Sequence, residues 1–252
     1  MPWEFLDGNP KTVDIAVNPG PGNPIIFQRH DSGAIFQFVG PPQNWKPLDG
    51  NPRTVQIVAA GGNQLYQRHN NGAIFQFVGP PTNWKFLDGN PKTVDIAAAG
   101  RLYQRHDNGS IFEFVGPRPQ DWKLLDNNPR TVQITAAMHE GLVPPGGTAP
   151  HFLYQRHNTG AIFQFTGTPI SGWKLLDNNS RTVDIVAAGA NLFQRHNTGA
   201  IFQFTGTPIS GWQLLDNDAS TVELASPGGG FHRLFQRRNN GAVLGLRDPS
   251  PI

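Results

Sequence analysis

Residues Trp84 to Asp121 read WKFLDGNPKTVDIAAAGRLYQRHDNGSIFEFVGPRPQD, and variants of this unit fill essentially the whole chain. The tryptophan that begins the unit recurs at one phase of every copy. The repeats start near Trp3, Trp45, Trp84, Trp122, Trp173 and Trp212. A period of roughly 40 residues is the length of one blade in several β-propeller families. We therefore interpret residues 1–252 as a single domain made of six repeats.

Each repeat contains four short apolar runs separated by turn signals, and their β-branched and aromatic content favours strands over helices. In the second copy the runs are Trp45 to Asp49, Val55 to Ala59, Leu65 to His69 and Ala73 to Val78. The break Gly50-Asn51-Pro52 contains a proline, which fixes φ and lacks an amide donor. Asn70-Asn71-Gly72 suits a tight hairpin that needs positive φ.

The pattern predicts an all-β fold, a six-bladed β-propeller with four antiparallel strands per blade. The small residues of Thr93 to Gly100 suit the crowded innermost strand, which makes the tryptophan-bearing strand the outermost one. At this phase the last blade, Thr221 to Leu246, lacks an outer strand of its own. We therefore expect the N-terminal strand Trp3 to Asp7 to join the last blade and close the ring.

Composition argues against several functional classes. The chain has 20 Lys and Arg against 18 Asp and Glu, so it lacks the clustered positive excess typical of a nucleic-acid binder. It has no Cys for disulfides or thiolate metal sites. The start MPWEFLDGNPKTV shows no signal-peptide pattern, and no apolar run is long enough for membrane insertion. We expect a soluble protein that is cytoplasmic or released by a leaderless route.

Polar residues repeat at the turn between the third and fourth strands, and they form our first candidate ligand-binding set. A histidine followed by Asn or Asp can donate and accept hydrogen bonds to a polar ligand. The set consists of His30, Asp31, His69, Asn70, His106, Asp107, His157, Asn158, His196 and Asn197. The sixth copy has Arg238 instead. The histidines lie on different blades without a second ligand at metal-site spacing, so we predict no metal, and we predict no cofactor. Hydrogen bonding between blades is the alternative role for these histidines.

The tryptophans form a second candidate set, on the opposite rim. An indole face can stack on the apolar face of a sugar ring, or it can fill the wedge between blades. The candidates are Trp45, Trp84, Trp122, Trp173 and Trp212. Aromatic residues in the third strand, such as Tyr66 and Phe27, extend either a core or a binding platform.

Two further charged sets repeat around the ring. The arginines of the Gln-Arg-His runs and the aspartates that end the outer strands approach the same rim, so we expect bidentate ion pairs between them. The arginines are Arg29, Arg68, Arg105, Arg156, Arg195 and Arg237, and the aspartates are Asp7, Asp49, Asp88, Asp126, Asp177 and Asp216. The innermost strands carry Asp14, Gln56, Asp95, Gln133, Asp184 and Glu223, which we interpret as a solvated channel lining. No closely spaced carboxylate pair or nucleophile–base pair supports catalysis.

The repeated W-x-x-LD, T-V-x-I and LYQRH-x-x-G-x-I-F-x-F pattern resembles the tachylectin and tectonin-like β-propeller lectins over essentially the entire chain. The resemblance implies sugar binding at several equivalent clefts. The sixth copy departs from the pattern at Arg238 and at Leu244-Gly245-Leu246, which favours five sites over six. We therefore predict a multivalent, non-enzymatic carbohydrate-binding protein whose partners are glycans or glycoconjugates, because repeated weak sites gain affinity through effective concentration.

Two other functional classes stay open. A protein-protein interaction scaffold would use a distinctive surface on a few blades, and the insertion Met138 to Phe152 is the candidate. An enzyme would assemble one central site from unlike residues of several blades. Because this chain repeats the same residues on each blade, an enzyme is the least favoured class.

Overall fold

The computed structural model describes residues 3–18, 24–40, 44–61, 64–79, 83–116, 118, 121–138, 151–227 and 234–246. All regular structure in these ranges is β-strand, arranged as six antiparallel sheets of four strands. The sequence prediction of a six-bladed β-propeller is confirmed. Most of the predicted insertion Met138 to Phe152 lies outside the described residues.

Each blade runs from an inner strand at the axis to an outer strand at the perimeter. Blade one contains Thr12–Asn18 (β2), Ile25–His30 (β3), Ile35–Gly40 (β4) and Asn44–Asp49 (β5). Blade two contains Thr54–Ala60 (β6), Gln64–His69 (β7), Ile74–Gly79 (β8) and Asn83–Asp88 (β9). Blade three contains Thr93–Ala98 (β10), Leu102–His106 (β11), Ile111–Phe114 (β12) and Trp122–Asp126 (β13).

The second half of the chain repeats this order. Blade four contains Thr131–Met138 (β14), His151–His157 (β15), Ile162–Phe165 (β16) and Trp173–Asp177 (β17). Blade five contains Thr182–Ala188 (β18), Asn191–His196 (β19), Ile201–Phe204 (β20) and Trp212–Asp216 (β21). Blade six contains Thr221–Ala225 (β22), Phe235–Arg238 (β23), Val243–Leu246 (β24) and Trp3–Asp7 (β1).

Blade six is completed by the N-terminal strand, as the sequence predicts. Trp3 pairs with Leu246 and Phe5 with Leu244 in an antiparallel register. The inner strands β22 and β2 are in contact, as are the inner strands of the other neighbouring blades. Both ends of the described chain therefore fasten the ring.

The hydrophobic core is divided among the six spaces between adjacent blades. Each space contains one cluster of buried aliphatic residues together with one partly buried tryptophan. Trp173 of blade four, for example, packs on a cluster that includes Tyr103 of blade three. The wedge-filling role of the tryptophans is confirmed. The aromatic residues that precede the Gln-Arg-His runs belong to the core. Tyr103 in β11, for example, is only 4% exposed.

Candidate functional site

The histidines of the hairpin rim are buried side chains. His30 stacks on Phe36 with ring centroids 4.3 Å apart, and the Asn9 side-chain nitrogen lies 3.3 Å from His30 Nε2. Matching Asn contacts of 3.3–3.4 Å hold His69, His106 and His196. A neutral imidazole suits this contact, because its unprotonated nitrogen accepts from the amide. These contacts correspond to the alternative role of the histidines, which is hydrogen bonding between blades.

Burial also sets the protonation of these rings. It lowers the pKa of His30, His69, His106, His157 and His196, and nearby aspartates oppose this effect. The five histidines are only 5–8% exposed. The residues that follow them, Asp31, Asn70, Asp107, Asn158 and Asn197, are exposed. A ligand on this rim would therefore meet the Asn and Asp side chains before the imidazoles.

The hairpins of this rim interlock with the neighbouring blade. Gly33 has φ of 86°, and a Cβ added there would lie 2.3 Å from the Asn51 carbonyl oxygen. The other five hairpin glycines make the same close approach. The glycine of each Gln-Arg-His-x-x-Gly run is thus required both by its backbone conformation and by the loop beside it.

The arginines do not pair with the outer-strand aspartates, so that prediction is wrong. Arg29 faces Asp14 of the inner strand, with Nε 3.3 Å from Oδ2. Outer aspartates instead accept from glutamine: Gln155 Nε2 donates to Asp126 Oδ2 at 2.9 Å. Gln and Arg are consecutive in the strand, and consecutive side chains point to opposite faces of a sheet. The prediction considered only which rim the residues approach, so it missed that Gln and Arg lie on opposite faces of the sheet.

The inner polar residues form a hydrogen-bonded ring around the axis instead of a merely solvated lining. Ile57 N of blade two donates to Asp14 Oδ2 of blade one at 2.9 Å. Equivalent bonds of 3.0–3.2 Å cross the other five blade boundaries, accepted by Gln56, Asp95, Gln133, Asp184 and Glu223. Each inner side chain therefore joins its blade to the next one.

The outer part of each blade boundary has a different chemistry. In blade three, Tyr103 pairs with Glu113, and Glu113 pairs with Lys123, so one row of side chains crosses three strands. The facing blade contributes Phe165 and Trp173, whose ring centroids are 5.0 Å apart. We call the space between such a row and such an aromatic pair a seam cleft.

The seam cleft between blades three and four is an open cavity of about 450 Å³. Arg101 and Glu113 form an ion pair at this cleft, and Arg101 is half exposed while Glu113 is buried. Lys123, Gln164 and Phe165 also line the cavity. Cavities of roughly 300–1,000 Å³ with a few placed polar groups are the usual form of small-molecule sites. This cleft has both the size and the mixed surface for a polar ligand with an apolar face.

The loop beside this cleft contains a strained residue. Ile170 has φ of 69°, is 49% exposed, and donates its amide to Leu125 O at 2.7 Å. Leu125 lines the seam cleft. Ile209 repeats this geometry between blades four and five, with φ of 70°. The left-handed conformation costs a non-glycine residue roughly 1–2 kcal/mol, and a β-branched residue there is an outlier. Such outliers cluster at functional sites.

The tryptophans are partly exposed and pack on the buried clusters between blades. In Trp45, Trp84, Trp173 and Trp212 the indole N–H is buried without a hydrogen-bond partner. An unsatisfied buried donor costs about 1–3 kcal/mol. Phenylalanine would fill much of the same wedge without this cost. Packing alone therefore does not explain the use of tryptophan in these four repeats.

Neither metal nor membrane features stand out in the described part of the chain. Within it, no group of three or more His, Asp or Glu side chains is placed to hold a metal ion. In the same residues no helix is long and apolar enough to cross a membrane.

Comparison with known proteins supports the fold. No protein-family model matches the chain, and a search of curated proteins gives no match. Among solved structures, it is similar to regucalcin, a calcium-binding protein from Agrobacterium tumefaciens, with a TM-score of 0.65 and 11% identity over 96% of this chain and 92% of that one. It is also similar to the SapL1 lectin in complex with alpha methyl fucoside, with a TM-score of 0.58 and 14% identity over 98% and 100% of the two chains.

A third similar structure is YCF48 bound to D1 peptide, with a TM-score of 0.56 and 14% identity over 99% of this chain and 80% of that one. These neighbours bind different ligands and share only the propeller fold at such low identity. The choice among functions therefore depends on the chemistry of this chain's own surfaces.

Proposed function

We propose that this protein is a multivalent, non-enzymatic carbohydrate-binding protein that holds glycans in its seam clefts. The observation that carries the proposal is the cleft between blades three and four, where an ion pair, a lysine and aromatic rings line a cavity of about 450 Å³. A sugar presents hydroxyls to charged donors and acceptors and an apolar face to an aromatic ring.

Repetition supports a multivalent mode of binding. The row Tyr103–Glu113–Lys123 has counterparts such as Tyr66–Gln76–Lys85 in blade two. Blade six has Phe235, Gly245 and Glu4 at these positions, so it lacks both the amide and the lysine. The row of blade five ends in Gln213 in place of the lysine, and it faces Trp3 and Leu246 instead of a Phe–Trp pair. Four similar clefts, at the boundaries between blades one and five, that each bind weakly would give high avidity on a surface with many copies of one glycan.

A glycan array probed with labelled protein, with free-sugar competition, is the first test. We expect specific binding that the free sugar abolishes. A blank array from folded protein would contradict the proposal.

Matched variants then separate the two candidate surfaces. Arg101→Gln with Glu113→Gln gives the cleft of blade three the residues of blade two, Gln64 and Gln76, so the fold should tolerate the change. We expect this variant to lose part of its avidity and to change its sugar preference at one site.

The rim variant replaces Asp31, Asn70, Asp107, Asn158 and Asn197 by Ala. Their side chains are exposed, and their backbone amides, which bond to the preceding loop of the same rim, stay in place. Unchanged binding is expected if the clefts hold the sugar. Loss of binding by the rim variant alone would move the site to the His-Asn/Asp residues of the hairpin rim.

A protein-interaction scaffold is a second candidate, favoured by apolar side chains exposed on the outer strands. Phe5 is 55% exposed, Phe86 48% and Leu214 53%, at equivalent positions of three blades. Exposed apolar surface that recurs in this way is typical of interaction sites when it is contiguous. Replacing these residues by Ser would abolish partner capture by a scaffold and would leave glycan binding intact.

A further inference from the structure

The axis of the propeller has a charged cavity of about 390 Å³ on the hairpin side of the polar ring. Its wall includes four arginines of the Gln-Arg-His strands β3, β7, β11 and β15: Arg29, Arg68, Arg105 and Arg156. Valines of five inner strands separate the charged groups. The cavity is distinct from the seam clefts, which lie further out along the blade boundaries.

The charges of this cavity do not balance. Its acidic residues are Asp14 and Asp95, which face Arg29 and Arg105 at 3.3 and 3.6 Å. Arg68 and Arg156 instead donate from Nε to the neutral oxygens of Gln56 and Gln133, each at 3.0 Å. Glutamine supplies the hydrogen bond without the negative charge. The cavity wall therefore has an excess of two guanidinium charges.

These guanidinium groups are also poorly hydrated. Burial lowers the pKa of Arg68 and Arg156, an effect that the nearby aspartates oppose. An arginine keeps its proton even so. Arg105 Nε is buried without a hydrogen-bond partner, and its side chain is only 11% exposed. Buried charges are normally paired, because water no longer compensates them. Arg105 still faces Asp95, whereas Arg68 and Arg156 form no ion pair with another described residue, so an anion in the cavity would neutralise their charge.

We propose that this axial cavity binds one small dianionic oxyanion of the phosphate class. Two unpaired guanidinium groups match a charge of minus two, and the planar fork of arginine fits phosphate oxygens in pairs. Asp14 and Asp95 each accept a hydrogen bond from a backbone amide, of Ile57 and Ile134 respectively. These bonds limit the repulsion between the two carboxylates and the anion. The site does not depend on the glycan proposal.

Isothermal titration calorimetry of the whole protein with inorganic phosphate tests the proposal. The titration is made at about pH 8, where phosphate is mainly dianionic, against sodium chloride of equal ionic strength. We expect saturable binding of one phosphate per chain and a rise in Tm that chloride does not reproduce. Absence of saturable binding to the wild-type protein would overturn the proposal.

Variants locate the anion. Arg68→Gln with Arg156→Gln removes the unpaired charges, and we expect Kd for phosphate to rise at least tenfold. Arg53→Gln with Lys92→Gln is the matched control, because it removes two exposed charges from the same rim, and its Kd should stay within twofold. Equal Kd changes in both pairs would show a diffuse charge effect and refute the site.

A second pair keeps the test valid if the glutamine variant does not fold. Arg68→Lys with Arg156→Lys preserves the charge but loses the fork, so we expect a weaker affinity with the stoichiometry unchanged. Wild-type affinity in this pair would contradict guanidinium recognition.

Discussion

Blades five and six have the same four strands, but their perimeters carry different side chains. Blade five has His196 stacked on Phe202 and Phe204 beside Trp212. Blade six has Arg238 in place of the histidine and Leu244 and Leu246 in place of the two phenylalanines. The inner strand of blade six keeps the contacts seen in other blades, since Arg237 pairs with Glu223 and Ile15 N donates to Glu223.

Blade six shows which features of a blade are needed for ring closure and which are not. The axial hydrogen bonds and the buried aliphatic positions occur in all six blades, so ring closure uses them. The histidine stack and the polar side chain of the third strand of the blade, which is Gln or Glu in the other five blades, are missing from blade six, yet its strands pair normally. Closure therefore does not need these perimeter features, and their repetition in the other blades favours a role in binding.

Deletion of residues 1–8 is expected to have the largest effect, because it leaves blade six with three strands. Trp3 and Leu6 each pack on a buried cluster. Loss of a large core aromatic alone costs about 3–5 kcal/mol. We expect a fall in Tm of roughly 10 °C or more, measured by calorimetry. A peptide of residues 1–8 added in trans should restore part of the loss, and an unchanged Tm would refute closure by β1.

The second test concerns the protonation of Glu223, the acidic residue that blade six places at the axis. Gln56 and Gln133 donate to Asp95 and Asp184 at 2.7 and 2.6 Å, whereas the residue beside Asp14 is Glu223. Burial and the charge of Asp14 raise the pKa of Glu223 well above its usual value, and Arg237 opposes this effect. A protonated Glu223 donates to Asp14 as a glutamine would.

Glu223→Gln should therefore stabilise the protein. A carboxyl whose pKa is raised by folding loses stability as pH increases from its unfolded pKa towards its folded pKa. The variant lacks this loss, so we expect a gain of roughly 1–2 kcal/mol at neutral pH that shrinks at about pH 4. Urea unfolding across this range measures it. A loss of stability at neutral pH would show that Glu223 acts as the ionised partner of Arg237.

Much of this architecture follows from the repeat. Strand number, the inner position of the small-residue strand and closure by Trp3–Asp7 all follow from the period and from where the last copy ends. The partners of Arg29 and His30 do not. Rim proximity pairs Arg29 with the wrong aspartate, because it ignores the alternation of side chains between the two faces of a strand. The burial of His30 against Asn9 depends on the loop between β1 and β2, which order along one strand does not show.

The histidines provide a third test, because blade six lacks one. Their pKa values are lowered by burial, so their contribution is complete above the unfolded pKa of about 6.5 and is lost as pH falls through the folded pKa. His69→Gln should reduce the acid-induced loss of stability between about pH 7.5 and 5.5 by a few tenths of a kcal/mol or more. The difference between wild type and variant in urea unfolding isolates this effect. An identical pH slope would mean that folding does not lower the pKa of His69.

The smallest effect is expected where blade six replaces a His-Asn contact by an ion pair. Arg238 Nη2 lies 2.6 Å from Asp218 Oδ2, at the position that His30 and Asn9 occupy in blade one. Both side chains of the ion pair are about one-third exposed, and such pairs contribute about 0.2–1 kcal/mol. Arg238→His and Asp218→Asn should each destabilise alone, whereas the double variant recreates the blade-one contact and should recover most of the loss. A double-mutant cycle in urea measures the coupling. If the stability changes of the two single variants add up to that of the double variant, Arg238 and Asp218 act independently and the ion pair does not replace the His-Asn contact.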